Sequence, residues 1–367
     1  MRVVLVSSFV LPHAGGVEQF VATIRGLLEE RRCEVRVLAC RRPGEDSTAD
    51  AVVPARFLGA TGWPLPVGGW RTIWDEVGRA DVVVANGAMH LLPVVAILAG
   101  RRRGVPVLMV VHGSGERQQY GSRRLAAMRN AFQQMIGRLA VRRSLAVSVS
   151  QAGVEGMRRA YGVRAAHLPY PVPELPLADP VALADGETLR VVWIGRLAVE
   201  KDPLLAVRAV DRLRATRPAV LELYGEGPLR SRLEPLAAER PWLTLRGARP
   251  WPEVLAAHAR AHVCLSTSVW DNVQVAVLEA LVRGVPVVST RVGDAPRYYR
   301  TPALEGFCVE RGDADALSDA LDRLASGYEA HRRAFAANGR ELASTHGDAP
   351  RILMELIALA RGAAAAR

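Results

Sequence analysis

Lysine is almost missing from this chain of 367 residues: of 48 Lys and Arg, Lys201 is the one lysine and all the others are arginine. A chain that writes positive charge as Arg yet keeps Lys at one place marks that place for chemistry rather than solubility. Cysteine is scarce as well. Cys33, Cys40, Cys264 and Cys308 are scattered with no C-x-x-C spacing, which excludes a disulfide scaffold and fits a reducing cytoplasm. Aromatic residues are only 5%. The basic-aromatic interleaving of a strand-binding nucleic-acid protein is therefore absent, although a net charge of +11 would attract phosphate-rich partners. No apolar run approaches the length of a membrane span, the longest lying around 91–98. The opening "MRVVLVSSFVLPHAGG" lacks a small-residue cleavage pattern and reads as a buried first strand instead of a signal peptide. Finally, there is no G-x-G-x-x-G and no acid at the end of the second strand, which removes the fingerprint of an NAD-dependent oxidoreductase.

What is present is apolar residue, 50% of the chain, enough for two packed cores at this length. Short Val/Leu-rich runs alternate with longer helical patterns, the signature of βαβ units and parallel sheets. Strands are expected at 3–6, 33–40, 82–85, 105–111 and 145–149, with a helix over 17–30. The series stops in "HLPYPVPELPLADP", residues 167–180, where five prolines make a semi-rigid linker. A second series starts at 189 with "RVVWIG" and continues through "LELYG", "LTLRG", "VCLST" and "PVVST", with helices over 203–216, 228–239, 252–260 and 274–283. The fold class is α/β, two doubly wound Rossmann-like domains facing across a cleft. The divisions are 1–170, a Pro-rich linker 171–188, 189–345, and a C-terminal helix 346–367 that packs back on the first domain and ends in a frayed Ala-rich tail. Ligands of such sheets sit beyond the carboxyl ends of the strands.

Three stretches carry chemistry. Gly15-Gly16 lie just ahead of a helix, where backbone N–H groups approach an anion closely; a tight strand-to-helix turn reads the same way. "GRLAVEK" places Arg196 and Lys201 five apart after a strand, a cation pair suited to a diphosphate: Arg grips two oxygens, Lys supplies a compact point charge. In "TSVWDNVQVAVLEALVRGVPVVST", Asp271 and Glu279 are eight positions apart, with the N–H groups of Val273, Gln274 and Val275 at the start of a helix between them. Carboxylates so placed accept hydrogen bonds from sugar and ribose hydroxyls, while Asp271 as a simple N-cap is the alternative. His258 and His262 are four apart, but no Glu follows His258 and a strand comes at once, so they read as structural. Asp313-Ala-Asp315 opens a helical pattern with Asp313 as N-cap rather than a metal pair.

In the order "PHAGGVEQF", "VVHGSG", "VVWIGRLAVEKDP", "LELYGEGPLRSRLE", "LTLRGA" and "STSVWDNVQVAVLEALVRGVPVVST", the chain resembles glycosyltransferase family 4, retaining enzymes of the GT-B fold. The resemblance covers nearly the whole sequence. It implies that Arg196 and Lys201 hold the donor diphosphate, that Asp271 and Glu279 stand in the family's E-x7-E pattern on the donor sugar and the ribose, that Gly16 lies against the donor, and that His112 sits near the reacting sugar carbon. Two departures stand out. The first acid is Asp, with "NVQ" at 272–274 in place of an aromatic-Gly pair, and "GDAPR" at 293–297 carries a base where an acid is usual.

The function so implied is transfer of a hexosyl group from a nucleotide diphosphate sugar to a hydroxyl acceptor, a cell-envelope precursor or a secondary metabolite, with no metal and no cofactor. An inverting GT-B transferase or a glycan phosphorylase is the alternative within enzymes, and a basic nucleic-acid-binding protein the alternative outside them. The partners are the donor and an acceptor that no motif identifies; oligomeric state is equally unmarked. Between 117 and 143 the apolar Leu125, Met128, Phe132, Met135, Ile136 and Leu139 fall at helical spacing beside Arg124, Arg138 and Arg142. Such a stripe packs into its own domain or lies peripherally on the inner face of an anionic membrane. The lone lysine generates a first prediction: Lys201→Arg, though charge-conserving, lowers nucleotide-sugar turnover well beyond twofold, because a planar guanidinium cannot replace a point charge. Turnover within about twofold of wild type, under roughly 0.5 kcal/mol in the barrier, would overturn the role.

Overall fold

A computed structural model describes residues 1–10, 16–41, 47–58, 63–87, 90–113, 131, 134–135, 137–173, 175, 177–178 and 181–365. The chain divides into two compact units, Met1–Pro171 with Asp348–Arg367, and Val172–Gly347. Most of the Pro-rich segment thus counts with the second unit, and the helix Ala349–Ala365 with the first, where it lies against two of the central strands.

The first unit is built on eight strands: β1 Arg2–Ser7, β2 Glu34–Arg41, β3 Ala51–Leu58, β4 Trp63–Pro66, β5 Val82–Asn86, β6 Val107–Val111, β7 Leu145–Ser148 and β8 Ala166–His167. Their order is β4-β3-β2-β1-β5-β6-β7-β8, all parallel except that β4 runs antiparallel to β3. The central strands are fully buried Val/Leu runs, because helices cover both faces of such a sheet. The β3–β4 edge is not an apolar run. It carries Pro54, Pro64 and Pro66, which lack the N–H a central strand needs and are tolerated at an edge.

The second unit has six strands, all parallel: β9 Leu189–Ile194, β10 Ala219–Tyr224, β11 Leu243–Gly247, β12 Val263–Ser266, β13 Val287–Thr290 and β14 Cys308–Val309. Their order is β11-β10-β9-β12-β13-β14. Trp193, Phe307 and Phe335 are its largest fully buried side chains. Helices start where local chemistry says they should: Asp202 caps Pro203–Leu213 by accepting the Leu205 N–H at 3.1 Å, and Asp313 caps Ala314–Ser326 through the Ala316 N–H at 2.9 Å.

The stripe at 117–143 lies largely outside the described residues. Among its described members Met135 is 64% exposed and Leu139 37%, whereas the intervening face buries Ala140 and Val141. Of the two placements open for the stripe, Met135 and Leu139 do not take the buried one.

One backbone contact fixes the mouth of the second sheet. Gly225 adopts φ 138°, and a Cβ there would lie 1.9 Å from the Gly195 carbonyl oxygen, the residue before Arg196. Gly225→Ala is therefore expected to destabilise the protein by about 1–3 kcal/mol, read as a lowered denaturant midpoint; an unchanged midpoint would show that the two loops are not held in contact.

Candidate functional site

In the second unit the winding reverses between β9 and β12, so the residues beyond the carboxyl ends of those two strands are the ones placed to meet a ligand. Both loops carry residues singled out from the sequence. Lys201 Nζ donates to Asp271 Oδ2 in an ion pair, with the two side chains 28% and 15% exposed. Arg196 emerges just past β9, its side chain 60% exposed, and pairs with the Glu200 carboxylate. The predicted cations are thus brought to one loop, each with a carboxylate against it.

This loop is locked from below by residues the sequence reading missed. The Trp193 indole N–H, on β9, donates to Thr267 Oγ1 at 2.9 Å, and Thr267 in turn lies 2.9 Å from the Lys201 carbonyl and 2.7 Å from that of Asp202. Trp193 and Thr267 are buried. Asp202 itself sits at φ 40°, a left-handed conformation that a non-glycine residue holds only when its surroundings enforce it. The Val269 N–H donates to the Glu200 carbonyl at 2.9 Å, joining the β12 loop to the β9 loop a second time.

Asp271 is not an N-cap of the next helix. That helix, Val275–Val282, has Gln274 at its N-cap position with no side-chain capping bond, while Asp271 Oδ1 accepts the N–H of Asn272, at 3.0 Å. The Gln274 side chain is buried and engaged with Ser266 Oγ and the Thr290 carbonyl, so a ligand can meet Gln274, like Val273 and Val275, through its backbone alone. Gly293, in the segment that departs from the family pattern, supports this loop: at φ 56°, a Cβ there would come within 2.4 Å of the Asp271 carbonyl oxygen.

Glu279 is 6% exposed on the same helix. The Trp251 indole N–H donates to its Oε1 at 3.0 Å, a bond across 28 positions that no local spacing could announce. Burial pushes the Glu279 carboxyl above its ordinary range, and the Trp251 bond and the Arg283 charge only partly offset that. A buried acid held in this way is suited to accept hydroxyl hydrogen bonds.

The first unit reverses its winding between β1 and β5, and a hydrogen-bonded chain crosses that point. Asn86 Nδ2, at the end of β5, donates to Ser7 Oγ at the end of β1, 3.2 Å away, and Asn86 Oδ1 faces His112 Nε2 at 2.6 Å, just beyond β6. Dense surroundings push the half-buried His112 down to about 4, so the ring is neutral near pH 7. With Asn86 Oδ1 accepting, its proton is on Nε2 and Nδ1 is an acceptor. His112 and Gly16 are brought together through aromatic packing. The His112 ring meets Phe20 edge-on at 4.7 Å, Phe20 lies 5.8 Å from Tyr170, and Tyr170 Oη donates to the Gly16 carbonyl at 2.9 Å. Gly16 begins the helix Gly16–Glu30; Gly15 lies outside the described residues. Among the described residues no group of three or more His, Cys, Asp or Glu is arranged to hold a metal ion.

Comparison with known proteins gives this geometry a family. Residues 188–327 match the model for glycosyl transferases group 1, and residues 14–169 that for Glycosyltransferase Family 4. A GDP-mannose-dependent alpha-mannosyltransferase of Mycobacterium tuberculosis is 30% identical over 359 residues, 92% of this chain and 91% of that protein. The chain belongs to glycosyltransferase family 4. As a family member it is an enzyme that transfers sugar from a nucleotide sugar. Its fold is that of GT-B enzymes. Anabaena Alr3699/HepE in complex with UDP and glucose has TM-score 0.76 at 14% identity, over 98% of this chain and 99% of that one. Sucrose-phosphate synthase from Thermosynechococcus elongatus has 0.72 at 19%, over the whole of both chains.

The raised Glu279 carboxyl sets up a pH test on this glycosyltransferase. Its folded value lies above its unfolded one, so the associated stability is fully present below the ordinary carboxyl range, about 4.3, and is lost as pH rises through the folded value. Glu279→Gln, which mimics the neutral acid, should accordingly be more stable than wild type at pH 7 and converge with it near pH 4. Equal denaturation midpoints at both pH values would show that Glu279 is not strained by burial.

Proposed function

We propose that this glycosyltransferase moves a hexosyl group, with retained anomeric configuration, from a nucleotide diphosphate sugar to a hydroxyl acceptor. The observation that carries the reading is the arrangement at the β9/β12 reversal, where Arg196, Lys201 and Asp271 share one mouth and Glu279 follows on the next helix. Arg196 and Lys201 hold the diphosphate, exchanging Glu200 and Asp271 for phosphate oxygens. Asp271, released from Lys201, holds hydroxyls of the donor sugar, and Glu279, steadied by Trp251, holds the ribose. The N–H groups at the start of Val275–Val282 add a favourable field for the anion.

In the transfer, the bond from the anomeric carbon to the diphosphate oxygen breaks as the acceptor oxygen bonds to the same face. The acceptor proton passes to the departing diphosphate. Fixed donors aimed at charge that develops on a leaving group are commonly the largest catalytic contribution. The two cations supply that here, which supports a transfer that uses no metal. His112, neutral and held by Asn86, orients the sugar and does not act as the base. Gly16 brings backbone close to the donor, and Gly15, next to it in sequence, lies outside the described residues.

The M. tuberculosis relative uses GDP-mannose, and that donor heads the list for this chain. Four free, buried cysteines support a reducing, cytoplasmic setting. Among the described residues no helix is long and apolar enough to cross a membrane, and a peripheral contact at the inner membrane face remains the reading for a lipid-linked acceptor. The test is a donor screen by nucleotide release joined to calorimetry. Glu279→Gln is expected to weaken binding of the free nucleoside diphosphate by about tenfold or more, roughly 1.4 kcal/mol. Asp271→Asn, which frees Lys201 of a competing carboxylate, should not weaken that binding and should depress turnover of the intact sugar donor. The reverse pattern would exchange the two roles, and no release from any nucleotide sugar would refute the activity.

A further inference from the structure

Large hydrophobic side chains that reach solvent are not spread evenly over this chain. Of the nine exposed among the described residues, four lie within ten positions of the first unit: Leu65, Val67, Trp70 and Trp74. Single exposed hydrophobic residues are ordinary, whereas a cluster of them marks a surface that meets something apolar. The two tryptophans stand one turn apart on the helix Trp70–Gly78, 49% and 37% exposed, and the same helix buries Ile73 and Val77 in the core beneath. The helix Leu91–Arg103 packs beside it and carries Leu91, Val95 and Leu98 at helical spacing, each half-buried.

Cations frame this apolar face. The second helix ends in Arg101, Arg102 and Arg103. The Arg103 guanidinium carbon lies 4.6 Å from the centre of the Trp74 ring and 3.3 Å from the point where a Cβ on Gly78 would stand, so a glycine leaves room for the cation to settle on the ring. Arg71 and Arg79 on the first helix and Arg101 and Arg102 on the second are exposed, and among the described residues no carboxylate pairs with them. Acid is sparse beside them. Glu76 is held beneath by Arg2 and Arg36 at 3.2 and 3.3 Å, Asp81 accepts the Arg2 N–H at 2.7 Å, and Asp75 faces outward. Tryptophan settles where lipid tails meet headgroups, and arginine lays its stem on apolar surface while its head reaches phosphate. An excess of unpaired arginine around exposed tryptophan is therefore complementary to a bilayer of negative charge.

The start of the first helix also lies at the useful end of its sheet. The Val67 N–H donates to the Pro54 carbonyl at 2.9 Å, and Pro54 pairs with Arg41, two positions beyond Ala39, the partner of Ser7 at the end of β1. Trp70, three residues after Val67, is thus at the same end of the sheet as Asn86 and His112, the end at which an acceptor is expected.

We propose that the outer face of these two helices docks on an anionic lipid bilayer, with Trp70 and Trp74 entering the headgroup layer and Arg71, Arg79, Arg101 and Arg102 meeting lipid phosphates. The inference gives a surface to the peripheral contact proposed above, rests on that reading, and is separate from the stripe at 117–143. The test is co-sedimentation of the full chain with vesicles of phosphatidylcholine alone or of phosphatidylcholine and phosphatidylglycerol in equal parts. Wild type is compared with Trp70→Ser/Trp74→Ser, Arg101→Gln/Arg102→Gln and Met135→Ser/Leu139→Ser. Wild type should sediment with the anionic vesicles at low salt, where attraction is least screened, stay free of the neutral ones, and shift its tryptophan emission to the blue on binding. Each of the first two variants should weaken partition by about tenfold or more at an unchanged denaturation midpoint, and the tryptophan variant should also lose the blue shift. If the tryptophan variant is destabilised, the arginine variant decides alone. The Met135/Leu139 variant should bind as wild type does. Nucleotide release measured without vesicles should be the same in all four proteins, so that a failure of docking is told apart from a failure of the transferase reading. Wild type that ignores anionic vesicles, or binds neutral ones equally well, would overturn the proposal. So would binding kept without Trp70 and Trp74 but lost without Met135 and Leu139, which moves the contact to the other segment. A dimer in solution that the tryptophan substitutions dissolve would give the face to a second copy of the chain and overturn it as well.

Discussion

The ion pair of Lys201 and Asp271 joins the two loops at which the second sheet reverses its winding, and the proposed exchange of partners on donor binding depends on it. A lysine at the end of one strand and an aspartate at the end of another meet only if both loops are held rigidly. The buried Trp193–Thr267 bond and the left-handed turn at Asp202 hold the first, and Gly293 beneath Asp271 supports the second. Arg196 and Lys201 each have a carboxylate partner in the free enzyme. Donor binding on this reading is therefore an exchange of partners: the diphosphate replaces Glu200 and Asp271, and Asp271 becomes available to the sugar. Such an exchange avoids presenting bare cations to water or to adventitious phosphate.

Burial acts in the same direction on the titratable groups of both units, favouring the neutral form. It raises the Glu279 carboxyl and lowers the His112 imidazole. The consequences differ with the chemistry. A neutral His112 whose proton is fixed by Asn86 can orient a hydroxyl but is a poor anion clamp. A Glu279 carboxyl strained by desolvation gains from a hydroxyl donor, so a ribose would relieve a tension already present in the free protein.

Much of this architecture is legible in the sequence because buried parallel strands are written as uninterrupted Val/Leu runs; β1, β5, β9 and β13 all stand out in that way. The β3–β4 edge does not, since Pro54, Pro64 and Pro66 break the pattern that a central strand would need. The four charged candidates in the second unit were visible from type and spacing: a lone Lys near an Arg, and two acids eight apart. Their supports were not. Trp193 reaches Thr267 across 74 positions, Thr267 reaches Lys201 across 66, and Trp251 reaches Glu279 across 28, contacts that exist only once the strands are in register. At Gln274 the helix-start position pointed to the backbone N–H, and what it could not show is that the side chain is buried and engaged with Ser266 and Thr290.

Whether the lone lysine holds the donor's diphosphate is the question on which the proposed chemistry turns. Titration of free GDP into wild type and Lys201→Ala, followed by calorimetry, answers it without requiring the acceptor. The expected result is a loss of at least about tenfold in affinity, roughly 1.4 kcal/mol, with no change in fold. GDP bound equally well by both proteins, within about twofold, would contradict it.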